Sequence, residues 1–384
     1  MQNKGYIFIV LFLVSSVLYS QDNWMFKGYV KGMTAMQTVG EDGEMAIENT
    51  VHNRFDVNWY INENFTVSVG LRNRIIAGNN VSLIPNYSNY LGRDVGYIDL
   101  SWVWADENSW IGISQIDRLA IDYVAGNLQV TIGRQRINWG QTFVWNPNDL
   151  FNTYSYFDFD YEEKPGSDAI RLQYYIGEAS KLELSTALNN DEKVTSAFLY
   201  RFNTHGYDIQ FIGGVFTESD YAIGSGWSGN IGGGGFSGEI TYFHPMENNS
   251  ETSSEITATI HFDYTFKNSL SLQFESLYNG FGMDDFSSGL GEILFMDLSS
   301  KNLFPTKTAL FGSGSYNLSP LLTVMLAGMY GPEGNFIYIG PTITYSISDN
   351  MELASFGQYY TMDEVEESLA NTGTAIFIRL KWAF

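Results

Sequence analysis

The sequence predicts an all-β chain, a transmembrane antiparallel β-barrel of about 18 strands, with 16 as the alternative count, carrying long outer loops. Three observations predict it. Apolar and polar residues alternate over many short segments, the period of a strand with one apolar and one polar face. Aromatic residues make up 16% of the chain, with 25 Tyr and 27 Phe, and the 38 Gly far outnumber the 8 Pro. Beyond the first 20 residues, no segment approaches the roughly 20 continuous apolar residues a membrane helix needs.

The chain opens on a segment that reads as an export signal. Lys4 supplies a short positive region, Tyr6 to Leu18 a mostly apolar run, and Ser20 a small residue before Gln21. The pattern predicts a signal peptide over 1–20, read by the general secretory route, and a barrel over 21–384. The apolar run is too short to be a comfortable helical anchor. Without cysteine there is no lipid-attachment thiol, disulfide or thiolate metal site. The net charge of −23 argues against nucleic acid as a partner and fits solvated acidic loops.

Strands are expected near 25–37, 51–61, 65–76, 115–124, 128–137, 169–176, 181–188, 194–202, 206–217, 220–230, 234–243, 255–266, 269–279, 307–317, 321–330, 336–347, 351–360 and 373–384. The clearest is 255–266, where Ile256, Ala258, Ile260, Phe262, Tyr264 and Phe266 alternate with Thr257, Thr259, His261, Asp263 and Thr265. Tight turns rich in Gly, Asn, Asp and Pro, such as Asn62-Glu63-Asn64 and Ala125-Gly126-Asn127, join strands at one end. Long connections at 39–50, 77–114, 138–168, 244–253, 280–306 and 361–372 join them at the other. That rhythm is the mark of a membrane barrel. The apolar segment 95–104 is assigned to an outer loop, because an odd count would place the 138–168 connection at the tight-turn end. The glycine-rich region 224–238 and Pro341 weaken their strands.

The final strand alternates Ile376, Ile378, Leu380 and Trp382 with polar or small positions and ends on Phe384. It resembles the C-terminal strand by which outer-membrane proteins present an insertion signal, carried here by Trp382 and Phe384. The resemblance implies the outer membrane of a Gram-negative cell, with its lipid, its lipopolysaccharide and its insertion machinery as partners.

Strand parity sends charges to the lumen, since an Arg facing mid-bilayer lipid costs about 2–4 kcal/mol. By parity Lys27, Lys31, Arg54, Arg72, Arg74, Arg118, Arg171, Arg201, Arg379 and Lys381 are pore-lining bases. Asp56, Asp122, Glu183, Asp208, Glu239, Asp263, Glu275 and Glu352 are pore-lining acids. Bases gather on the first and last strands and acids on the middle ones, so either a field crosses the pore and favours anions, or the charges pair and fill a closed lumen.

The 138–168 connection is aromatic, acidic and too long for a turn. It is read either as a constriction folded into the lumen, with Trp139, Trp145, Asp149, Asp158 and Asp160 as its marked residues, or as an exposed cap. Its 158–163 acidic run has the carboxylates of a Ca²⁺ site, although such runs are more often merely solvated. Just before it, Gly133-Arg134-Gln135-Arg136-Ile137-Asn138-Trp139-Gly140-Gln141 resembles a segment of porins of the alginate-export and phosphate-selective kind. The resemblance implies a channel and no particular solute. Parity places Arg134 and Arg136 with Ile132, so either both sit at the rim or a bulge at Gly133 turns them inward.

His52 and His261 are expected in the lumen, His205 in a turn and His244 in a loop, and no catalytic motif accompanies them. The expected function is therefore not enzymatic: passive diffusion of small hydrophilic solutes through a water-filled pore, with anions favoured where the basic arc stays open. The alternatives are a plugged structural or assembly barrel acting through protein partners, and a transporter of apolar compounds.

Overall fold

The computed structural model describes residues 23–39, 44–84, 86–158, 162–247, 253–283, 298–363 and 372–384. The expected signal peptide lies outside them. The strands are β1 (Trp24–Val39), β2 (Glu44–Tyr60), β3 (Phe65–Gly78), β4 (Ser101–Glu107), β5 (Trp110–Ala125), β6 (Leu128–Gln135), β7 (Ser167–Tyr175), β8 (Lys181–Leu188), β9 (Val194–Thr204) and β10 (Tyr207–Phe216). They continue as β11 (Asp220–Ile231), β12 (Gly234–Pro245), β13 (Glu255–Thr265), β14 (Leu270–Asn279), β15 (Thr308–Ser319), β16 (Leu322–Gly331), β17 (Phe336–Ser348), β18 (Met351–Thr361) and β19 (Thr372–Ala383). Every wall strand pairs antiparallel with the next, and β19 closes on β1 from Tyr29↔Ala383 to Gln37↔Ala375.

Eighteen strands make this closed wall, because β3 pairs directly with β5 and β4 stands outside the round. β4 corrects the assignment of 95–104 to a loop: residues from Ser101 onward form a strand. It fills a seam. β6 pairs with β5 only as far as Leu119↔Arg134, and β4 takes over the same edge from Ser101↔Gln115 to Glu107↔Trp110. The strand count expected from the rhythm of turns therefore holds without it. The connection expected over 39–50 is much shorter, since β1 runs to Val39 and β2 starts at Glu44.

Local chemistry accounts for the hairpins. His205 and Gly206 both adopt positive φ, 51° and 80°, the type I′ geometry that matches strand twist. Pro341 stays within β17, but the ladder to β18 skips it, passing from Ile339↔Tyr359 to Thr342↔Phe356. A ring without an N–H breaks the pairing only on that side.

The two faces of the wall differ as a bilayer requires. Ile223, Ile170 and Leu326 point outward at 65%, 58% and 57% exposure, while Thr257, Thr259 and His261 on β13 point inward at 0%, 1% and 7%. Among the described residues no helix is long and apolar enough to cross a membrane. At the tight-turn end Trp24 stacks on Trp59 at 5.1 Å and Trp382 lies 5.2 Å from Phe384, forming part of an aromatic girdle. Phe384 closes the seam: its N–H and C=O both bond Gly28 at 2.9 Å. A side chain at Gly28 would meet the Phe384 ring.

The interior is packed against inward-folded chain. One buried cluster joins Ile137, Trp139 and Leu150 to Leu199, Ile212 and Phe243 of the wall. A second joins Val144, Trp145, Leu303 and Phe304 to Phe311, Phe336 and Tyr360.

Candidate functional site

The chain leaves the wall where β6 ends at Gln135 and returns at Ser167, and the described parts of the segment between, 136–158 and 162–166, lie inside the barrel. An irregular loop there has backbone N–H groups with no ladder to bond, and buried donors must find acceptors. Wall carboxylates supply them. Glu275 on β14 accepts from Phe143 N at 2.9 Å, Val144 N at 3.1 Å and Trp145 N at 2.7 Å. Glu239 on β12 accepts from Thr142 N at 3.0 Å, Asn148 N at 2.8 Å and Gln141 N. Glu183 on β8 accepts the indole N–H of Trp139 at 2.7 Å while pairing with Arg171 and Lys181. The glycines of β11 make room: a Cβ at Gly226 would sit 2.6 Å from Gln141 Oε1, and one at Gly224 would sit 2.7 Å from Asn148 Oδ1. The composition that weakened this strand in the sequence is what lets the loop lie against it.

The second half of the loop reaches the opposite wall. Glu162 bonds Lys381 at 2.6 Å and lies 3.9 Å from Lys31 and 3.8 Å from Arg379. Glu163 accepts from the Tyr29 hydroxyl at 3.0 Å and faces Arg54 at 3.6 Å. Arg118 donates to the carbonyls of Glu163 and Lys164 at 2.6 and 2.8 Å. Burial alone would raise the Glu162 carboxyl, but the Lys381 hydrogen bond and the charges of Lys31, Lys381 and Arg379 outweigh it and hold it below the usual range. Thus the two arcs of wall charge do not face each other across open water. The loop bridges them.

Between the halves sits a small polar nest. Asp149 is fully buried, and burial raises its carboxyl to about 6 although the Arg136 charge pulls it down. Lys164 lies over the Tyr154 ring, and burial together with Arg136 pushes its amine down to about 8. Arg136 faces the same ring at 5.8 Å.

What the loop leaves open is a cavity of about 280 Å³ against β16, β17 and β18. Phe143, Tyr154, Tyr156, Asp158, Glu162 and Lys164 line it from the loop, and Met325, Tyr338, Thr342, Phe356 and Gln358 from the wall. Of the four described residues among the five marked in the sequence for this loop, only Asp158 borders the cavity. Trp139, Trp145 and Asp149 are buried where the loop meets the wall, and Asp160 lies outside the described residues. A second outer connection also folds in: Ser300 bonds the Asp149 carbonyl at 2.7 Å, and Lys301 pairs with Asp220 at 2.8 Å.

The remaining residues expected in the lumen are placed as follows. Arg54 is buried between Asp56 at 2.7 Å and Asp117 at 2.6 Å. Arg72 donates to Gln115 at 2.8 Å, Arg74 to the Leu91 carbonyl at 2.7 Å and Arg201 to Gln210 at 2.5 Å. Glu352 pairs with Arg379 at 2.9 Å, and Asp263 lies 3.4 Å from His261. Asp122 accepts from Thr131 and Gln129, and Asp208 from Asn203. Lys27 is exposed at the turn end opposite Asp56 in register.

Sequence parity missed Asp117 because β5 carries a bulge: Gly70 faces Arg118 and Leu71 faces Ile116, so Asp117 is the extra residue. At Gly133 the register runs through without a bulge. Arg134 stays on the side of Ile132 near the outer end of β6, bonded to Asp94 at 2.6 Å and Asp168 at 2.8 Å, while Arg136 lies past the strand's end and turns inward. Glu162 and Glu163 of the acidic run are turned to wall bases, and no cluster of metal-ligating side chains occurs among the described residues. His244 is in β12, not in a loop, and bonds Ser254 at 2.7 Å. His52 is beside Tyr29, His205 is in its turn and His261 is 3.1 Å from Glu275, so the four histidines share no site.

No protein-family model and no curated protein sequence matches the chain. Solved structures do. Acinetobacter baumannii OccAB1 superposes with a TM-score of 0.62 at 8% identity, covering 94% of this chain and 96% of that one. Acinetobacter baumannii OccAB3 gives 0.61 at 11% identity, over 95% and 100%. The outer membrane protein OprD from Pseudomonas aeruginosa gives 0.57 at 10% identity, over 94% and 93%. At such identities the likeness is one of fold, and it covers nearly the whole barrel.

Proposed function

We propose that this chain is a porin of the Gram-negative outer membrane, a channel for passive diffusion of small hydrophilic solutes. The observation that carries the reading is the combination of a closed 18-stranded wall, apolar outside and charged within, and a loop that narrows the lumen without occupying all of it. Barrels of this size enclose an aqueous channel unless chain fills it. The route follows the cavity between the loop and β16–β18, past Glu162, Lys164 and Asp158. OprD is an outer membrane protein of Pseudomonas aeruginosa, which supports the location. The finer likeness to alginate-export and phosphate-selective porins rests on Gly133–Gln141 and assigns no solute.

Single-channel recording in planar bilayers tests this. Discrete conductance steps from the folded, detergent-purified barrel are expected, with matching uptake of small sugars or amino acids by liposomes. A folded barrel that inserts and stays silent would instead support the plugged alternative. The observation favouring that alternative is the second inward connection, where Phe304 packs 5.9 Å from Trp145.

A further inference from the structure

We propose that Glu162 is the selectivity-determining residue of the channel: a counter-ion carried on the loop that occupies an oxyanion cradle formed by Lys31, Arg379 and Lys381. The inference rests on the channel reading above and deepens it.

The cradle belongs to adjacent strands of the wall. Lys31 faces Lys381 directly across the β1–β19 ladder, and Arg379 is two residues along β19. Both lysines flank the Tyr29 ring, each 4.9 Å from its centroid. Their side chains are 0%, 9% and 20% exposed for Lys31, Arg379 and Lys381, whereas Glu162 is 36% exposed. The cations therefore lie behind the carboxylate, and whatever reaches them from the lumen arrives on the side Glu162 now covers. Buried cations need a compensating anion, because desolvation penalises an unpaired charge heavily. Glu352 answers Arg379 at 2.9 Å, while Glu162 bonds Lys381 at 2.6 Å and faces Lys31 at 3.9 Å.

Two features separate this arrangement from an ordinary wall ion pair. The carboxylate comes from the loop, 219 residues from Lys381 in sequence, so it is held by docking and not by the ladder. It also borders the cavity of about 280 Å³ that the channel reading takes as the solute's route. Three cations converging on one carboxylate, one hydrogen-bonded at 2.6 Å and two at 3.8–3.9 Å, present a site that a carboxylate, phosphate or sulfate group of a solute would take. With Glu162 in place the wall bases are neutralised, and an anion gains the cradle only by displacing it.

Reversal potentials in a KCl gradient, with inorganic phosphate as the probe anion, test the proposal. E162Q is expected to shift the reversal potential toward anion selectivity, and phosphate should block its chloride current at concentrations at least tenfold below those needed for wild type. E163Q removes the same charge one residue away, at Arg54, and should keep the wild-type phosphate response. E162Q/K381M should lose the phosphate block even if the loop has loosened. Equal reversal potential and phosphate response in E162Q and wild type would overturn the proposal, as would an equal gain in E163Q. If no variant conducts, the channel reading fails separately. The cradle is then read from thermal unfolding at matched ionic strength. Phosphate stabilising E162Q more than wild type or E162Q/K381M supports it, and equal shifts overturn it.

Discussion

Removing the Glu275 carboxylate should release the tip of the inward loop. In the native barrel its two oxygens take three backbone N–H groups, at 2.7–3.1 Å, from a segment where Val144 and Trp145 are buried. Hydrogen bonds to a charged group contribute about 1.5–3 kcal/mol each, and a buried donor left without a partner costs about 1–3 kcal/mol. Glu275→Ala orphans three donors at once, so docking of residues 143–145 weakens by at least about 3 kcal/mol, more than a hundredfold in population. Glu275→Gln keeps one acceptor oxygen and should fall between. Because Glu239 still holds Gln141, Thr142 and Asn148, Glu239→Ala/Glu275→Ala should free the segment altogether. Chymotrypsin reads the result at Trp145, which is buried when the loop is docked. The expected order of cleavage is wild type, E275Q, E275A, then the double variant, with open-channel current noise rising in step. A folded E275A barrel as resistant to chymotrypsin as wild type would refute the reasoning.

Deleting Phe384 should lower the yield of folded barrel, read by heat-modifiable gel migration, because both its backbone bonds to Gly28 and its ring contact with Phe55 at 5.7 Å go with it; a wild-type yield would discard its role. Phe262→Arg, on the lipid face, should cost about 2–4 kcal/mol and block folding, whereas His261→Arg keeps a donor beside Glu275 and should fold. Equal yields would overturn the face assignment of β13. Asp149 gives a pH signature: its folded value of about 6 exceeds the ordinary 3.8, so its contribution favours the folded state below about pH 4 and is lost as pH rises through about 6. Wild type should therefore lose on the order of 2–3 kcal/mol relative to Asp149→Asn between those limits, measured as the difference in thermal midpoints. A constant difference would mean that Asp149 reaches water.

The wall was legible because its signal is local. Each strand announces itself by period two and each tight turn by Gly, Asn or Asp, so the eighteen wall strands fall close to their expected places. Errors arose where one residue changed parity or where a strand stopped early. Asp117 is hidden by a bulge that no turn residue marks. β6 ends at Gln135, so Arg136 belongs to the loop. The partners of the loop were not legible at all. Glu239 meets Gln141 from 98 residues away and Glu275 meets Trp145 from 130, distances over which a single sequence carries no register. Glu239 and Glu275, expected as pore-lining acids, bond the loop's backbone instead of lining open water.

This division of labour follows from the chemistry of an irregular segment inside a barrel. The first half of the loop, Trp139 to Asn148, contains no acidic residue and offers N–H donors. It lies against β8, β12 and β14, where the wall carboxylates stand. The second half offers Glu162 and Glu163, and it lies against β19, β1 and β2, where the wall bases stand. Donors meeting acids and acids meeting bases fix which way round the loop crosses the lumen, since the reverse crossing would set carboxylate against carboxylate at Glu239 and Glu275 and leave Lys31 and Arg54 buried beside N–H groups. The uneven charge of the wall is thus explained first by the path of the loop. Three of those bases, Lys31, Arg379 and Lys381, meet a single loop carboxylate, Glu162.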